Sequence, residues 1–100
     1  MLFRSVSQSR YYPAVIIGVY SIKDALIGFD RVFDAPSKAV AIRIFSDACR
    51  DPGTVVARNP GDFDLYELGT LNTDDGVMSP AVSFVARASD MIERSFDHGE

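Results

Sequence analysis

The stretch "NPGDFDLYELGTLNTDDG", residues 59–76, constrains the chain more than any other. Asn59-Pro60-Gly61-Asp62 redirects the backbone before it, and Asn72-Thr73-Asp74-Asp75-Gly76 redirects it after. These residue types either adopt turn dihedrals or hydrogen-bond their own backbone. Between them, Phe63 to Leu71 alternates in the half-buried pattern of a strand. Gly69 inside it predicts a bulge or a close backbone approach. The second turn is of type I with Gly76 at the left-handed position, so Val77 to Pro80 begins a return strand. An isolated hairpin is marginal in water, so the rest of the chain must cover or extend it.

Ala14 to Ile22 is rich in β-branched and aromatic residues, the profile of a mostly buried strand that Lys23-Asp24 ends. Ala25 to Phe33 reads as a second, weaker strand anchored by Ile27, Phe29 and Phe33, with Gly28 as a bulge. Asp34-Ala35-Pro36-Ser37 is a helix entry, since Pro tolerates the first turn and Ser or Asp caps it. From Lys38 to Arg50, helical spacing puts Ala41, Ile42, Phe45, Ala48 and Cys49 on one face, widened by Val40 and Ile44. Arg43, Asp47 and Arg50 face away. Asp51-Pro52-Gly53 stops the helix, and Thr54 to Arg58 forms one loose turn. After Pro80, Val82, Val85, Ala88 and Ile92 suit a helix, while Ala81 to Val85 also prolongs the strand pattern.

The expected class is α+β, a small antiparallel sheet of three to four strands against one main helix, with a short C-terminal helix as an option. One domain spans residues 1–100, with 1–13 as an arm or edge strand and 97–100 as a mobile tail.

Charge and cysteine usage narrow the function. A net charge of -4 works against tight coating of phosphate backbones. Cys49 is the only cysteine, which rules out an intrachain disulfide and a four-cysteine zinc site and fits a reducing compartment. On the apolar helix face it reads as a packed thiol. No run has the length of a membrane helix. Ala14 to Tyr20, though preceded by Arg4 and Arg10, lacks a following small-residue cleavage pattern and reads as a buried strand rather than a signal peptide.

Chemistry-bearing patterns are few. His98 is the only histidine and lies in the tail, a poor place for a catalytic triad. Asp62, Asp64, Glu67, Asp74 and Asp75 read as turn residues, without the spacing of a calcium loop. Glycine-rich phosphate loops are absent. No catalytic residue, metal site or cofactor is therefore expected, and the chain reads as something other than an enzyme. Tyr11, Tyr12, Tyr20 and Tyr66 are candidate base-stacking platforms, with core packing the default for Tyr20 and Tyr66. Arg43 and Arg50 lie two turns apart on one helix side, with Lys38 and Arg58 close in sequence. Such a stripe can touch phosphates; the competing reading is a solvated face with Asp47 as an ion-pair partner.

The ordered series "GVYSIKD", "GFDRVFDAPSKAVAIRIFSDACRDP" and "NPGDFDLYELGTLNTDDG" resembles the small non-structural protein of gokushovirus-type microviruses, phages with single-stranded DNA genomes. The elements that carry the resemblance are Val19-Tyr20-Ser21-Ile22-Lys23, Phe29 and Phe33, and Ala41-Ile42-Arg43-Ile44-Phe45. They continue through Pro60-Gly61-Asp62-Phe63, Leu65-Tyr66-Glu67-Leu68-Gly69 and Asp74-Asp75-Gly76. The resemblance covers residues 18 to about 85. It implies a DNA-associated accessory factor, active in the bacterial cytoplasm when single-stranded genomes are made and packaged. It carries over no catalytic residue. Two expectations follow: weak contact with single-stranded DNA through Lys38, Arg43, Arg50 and Arg58, or a protein-interaction module without nucleic acid. The second would be a homodimer using a strand edge, or a factor that docks on viral or host replication or procapsid proteins.

Overall fold

The computed structural model describes residues 15–92. Strands β1 (Ile16–Asp24), β2 (Gly28–Ala35), β3 (Phe63–Asn72) and β4 (Met78–Arg87) form one antiparallel sheet in the order β2-β1-β3-β4. Helix α1 (Lys38–Arg50) and the short α2 (Val55–Arg58) connect β2 to β3, ending in a 3-10 turn at Pro60–Asp62. A third helix, α3, starts directly after β4 and is described over residues 88–92. The α+β expectation holds in full, with four strands, the main helix and the C-terminal helix.

All three helices pack on one face of the sheet. Tyr20, Ile22, Phe63, Leu65 and Ala86 point into a core closed by Ala41, Phe45 and Cys49 of α1, Val56 of α2, and Ala88 and Met91 of α3. Phe45 and Leu65 are wholly buried, each contributing roughly 1.5–3 kcal/mol of transfer free energy. Gly18 makes room for the Tyr20 ring, since a Cβ there would lie 2.5–2.7 Å from ring atoms. That ring stacks on Phe33 at 5.8 Å between centroids. Burial, and then the Glu67 carboxylate, raise the Tyr20 phenol above its ordinary pKa.

Local signals act where the sequence places them. Ser37 accepts from the Val40 amide at 3.2 Å and caps α1, and Thr54 accepts from the Ala57 amide to cap α2. In the β3–β4 turn, Asn72 accepts from the Asp74 amide and Asp75 from the Val77 amide, as expected of turn residues. Gly76 takes φ +78 and donates to the Asn72 carbonyl. The predicted left-handed glycine is in place. At Gly69 the β3–β4 register shifts, and φ reaches +154 where β4 passes closest.

Three expectations change. Lys23 and Asp24 belong to β1, and the Asp24 carboxylate turns the chain by accepting from the Leu26 amide at 2.9 Å. Ile27 lies in that turn, 70% exposed, and Phe29 is also exposed, so of the three expected anchors only Phe33 packs on the core. Gly28 closes the turn with φ +98, and the β2 irregularity falls after it, where the chain between Phe29 and Val32 holds one residue more than the facing part of β1. After Pro80 both readings are realised in succession, strand to Arg87 and helix from residue 88. Residues 1–13, the 97–100 tail, His98, Tyr11 and Tyr12 lie outside the described residues. Among the described residues, no helix is long and apolar enough to cross a membrane.

Candidate nucleic-acid interface

Among the described residues, no helix covers the second face of the sheet. Antiparallel pairing sets its side chains in two neighbouring cross-strand rows. One row runs Phe29, Lys23, Asp64, Arg87 and the other runs Val32, Ser21, Tyr66, Phe84, each from β2 to β4. Directly opposed residues share a face and touch. The Tyr66 ring stands nearly perpendicular to both aromatic neighbours, 5.3 Å from Phe29 and 5.8 Å from Phe84 between centroids. Phe29 and Phe84 keep about half their surface in solvent, 45% and 53%. Ser21 fills the floor between these side chains, fully buried, its hydroxyl donating to the Asp30 carbonyl at 3.3 Å.

The charges on this face are held in place. The Lys23 ammonium lies 5.5 Å from the Phe29 centroid and 5.7 Å from that of Tyr66, within cation–π range of both. Arg87 donates from Nε to Asp64 Oδ1 at 2.9 Å and more weakly from its second nitrogen to Oδ2 at 3.4 Å. That hydrogen bond, then the Asp64 charge, raises the guanidinium pKa above its ordinary value. The pair is largely solvent-exposed on the arginine side, so its role is to orient the guanidinium rather than to add stability. Lys23 and Arg87 flank the Asp64 carboxylate, and Asp62 lines one cleft with all three, so cations and carboxylates balance in this patch of an acidic protein. An aromatic floor edged by cations can stack bases and meet phosphates, the two contacts by which single strands are held.

Strand bulges produce this arrangement. Phe29 and Phe33 are four residues apart and would share a face in a regular strand. The extra residue of β2 between Phe29 and Val32 reverses that, sending Phe33 to the core and Phe29 to the open side. The register slip at Val85 does the same for Ala86, which is buried, and Phe84, which is not. Parity read from sequence alone hides both residues. Tyr66, expected by default to pack in the core as Tyr20 does, lies instead on the open face, because it alternates with buried Leu65.

The basic residues of the sequence reading lie on the other side of the molecule. Lys38, Arg43, Arg50 and Arg58 are all exposed in the helical layer. Arg43 and Arg50 share one side of α1, but at 100° per residue Lys38 is turned about 140° away from Arg43. Arg58 donates to the Pro52 carbonyl at 3.4 Å. Asp47 lies between Arg43 and Arg50 along the helix, about 40° round from Arg43, and among the described residues no ion pair joins it to either. Cys49 is buried, which pushes its thiol pKa up to about 11. No group of three or more metal-ligating side chains comes together among the described residues.

A family model described as phage ORF5 protein matches residues 17–91. No curated protein and no solved structure matches the chain.

Proposed function

From the premise that this chain belongs to the phage ORF5 protein family, we propose that it is an accessory protein that holds single-stranded DNA on the open face of its sheet. It acts in genome synthesis or packaging in the bacterial cytoplasm, as in gokushovirus-type phages, and by binding rather than catalysis. The observation that carries the reading is the outward Phe29–Tyr66–Phe84 series with Lys23 and Arg87 at its border. Exposed aromatic rings in contact with one another are costly in water, and bases are the ligand class that uses ring faces and cations together.

Affinity is modest because the molecule as a whole is acidic. Lys23 and Arg87 neutralise about two phosphates, so on single strands the log–log salt slope is about -1.4. Contact through Lys38, Arg43, Arg50 and Arg58 instead gives a slope of about -2.8. Fluorescence anisotropy of a labelled oligonucleotide across a salt series separates the two surfaces. The second reading, a protein-interaction module docking on a viral or host protein or on another copy, draws on the exposed apolar residues of β4, Met78 and Val82. Absence of DNA binding at about 20 mM salt, where screening is weak, leaves that reading alone.

A further inference from the structure

The bulge that sends Phe29 to the open face has a second effect on the helix side. Between Ser21 and Lys23, β1 holds one residue, Ile22, and β2 sets two against it, Asp30 and Arg31. Ile22 points into the core, and a bulge re-aims the side chains of its extra residues. Asp30 and Arg31 both line a cleft of about 370 Å³ between the sheet and the chain that follows α1. Ile22, Val56 and Phe63, all buried, form its apolar floor, and Arg58 at the end of α2 stands at its far wall. The Arg58 Nη1 donates to the Pro52 carbonyl at 3.4 Å, a weak bond that leaves most of its guanidinium donors unspent.

Among the described residues, Asp30, Arg31 and Arg58 are the charged groups of this cleft, and none of them forms an ion pair. Two arginines against one carboxylate give the cleft a net positive charge on a chain of net charge -4. We propose that it binds a nucleoside 5′-monophosphate, free or at the phosphorylated end of a strand. The two guanidiniums hold the phosphate, whose oxygens match their planar donor forks. Asp30 accepts a hydrogen bond from a sugar hydroxyl or a base amine. The apolar floor takes the body of the nucleoside, and the volume lies in the range of small-molecule sites. One ligand meets all three demands. Inorganic phosphate has no apolar body, and a fatty acid has no donor for Asp30. The site is separate from the aromatic face and stands whether or not that face holds single strands.

The test is calorimetric titration of the full chain with adenosine 5′-monophosphate at about 20 mM salt, where screening is weak. The native protein binds with a Kd of about 0.1 mM, and adenosine or inorganic phosphate alone binds at least about tenfold more weakly. Arg31→Gln and Arg58→Gln each raise the Kd about tenfold, with circular dichroism verifying the fold of these exposed-site variants. Asp30→Ala gives a sign test. It weakens a ligand that donates to the carboxylate and tightens a plain anion that the carboxylate repels, so tighter binding overturns the proposal. Tyr66→Ala leaves the affinity within about twofold, and a larger loss moves the nucleotide to the aromatic face and overturns it. No binding up to about 10 mM, binding that survives both arginine substitutions, or laurate binding more tightly than the nucleotide also overturns it. Competition by a 5′-phosphorylated oligonucleotide but not by its 5′-hydroxyl twin upholds the site and assigns it to strand ends. Binding without that competition upholds it for the free nucleotide.

Discussion

Replacing Gly69 by Ala separates close packing from backbone preference where β3 meets β4. Gly69 has φ +154, where a side chain costs about 1–3 kcal/mol. An added Cβ would also collide with the Ser79 carbonyl oxygen and lie 3.0 Å from Pro80 Cα and 3.1 Å from the Ser79 carbonyl carbon. All three are backbone atoms of the neighbouring strand, so relief requires moving β4 against β3, an overpacking cost of about 1–3 kcal/mol more. The total is about 2–6 kcal/mol, a large share of the roughly 5–15 kcal/mol that holds a domain folded. Gly76→Ala is the comparison, because Gly76 has φ +78 with open space around it and so incurs only the left-handed penalty of about 1–2 kcal/mol. Urea titrations followed by circular dichroism give both values, provided the slopes agree. A Gly69→Ala loss no greater than that of Gly76→Ala refutes the close β3–β4 approach.

Phe45→Ala empties the centre of the core and costs about 3–5 kcal/mol by the same titration, and a loss below about 1 kcal/mol contradicts the assigned face of α1. Cys49 in the native protein resists a thiol reagent and is labelled only as fast as the chain unfolds, so rapid labelling at neutral pH refutes its burial. Its thiol is pushed from 9.0 to about 11 on folding, so the neutral form is the stabilised one. The contribution is therefore complete below about pH 9 and is lost as pH rises towards about 11, a decline of up to about 3 kcal/mol that Cys49→Ala removes. Arg43→Gln together with Arg50→Gln leaves DNA affinity within about twofold, and a larger loss moves the contact to the helix side.

The main elements are legible because their boundaries are chemical. Pro36-Ser37 starts α1, Asp51-Pro52-Gly53 ends it, and the Asn72–Gly76 turn fixes the hairpin, each through a local hydrogen bond or dihedral that needs no tertiary partner. The open face is not legible in the same way. Whether Phe29 faces the helices or the solvent depends on one extra residue in β2, and whether Phe84 does depends on one in β4. Bulge positions follow from the register of the neighbouring strand, which a single strand's periodicity does not contain. The basic helix residues drew attention for the opposite reason. Their spacing is visible in sequence, whereas the Lys23–Asp64–Arg87 row is assembled from three strands far apart in the chain.

The most direct test of the aromatic face is the affinity of the native protein, Tyr66→Ala and Phe84→Ala for a labelled strand of about ten nucleotides at about 20 mM salt. Tyr66 and Phe84 are partly or largely exposed, so each variant keeps the fold while removing one ring of the series. Loss of one stacked base weakens binding by about 1–3 kcal/mol, read as about a 5- to 150-fold rise in Kd for each variant. A native protein that does not bind, or one whose affinity survives both substitutions unchanged, contradicts the account.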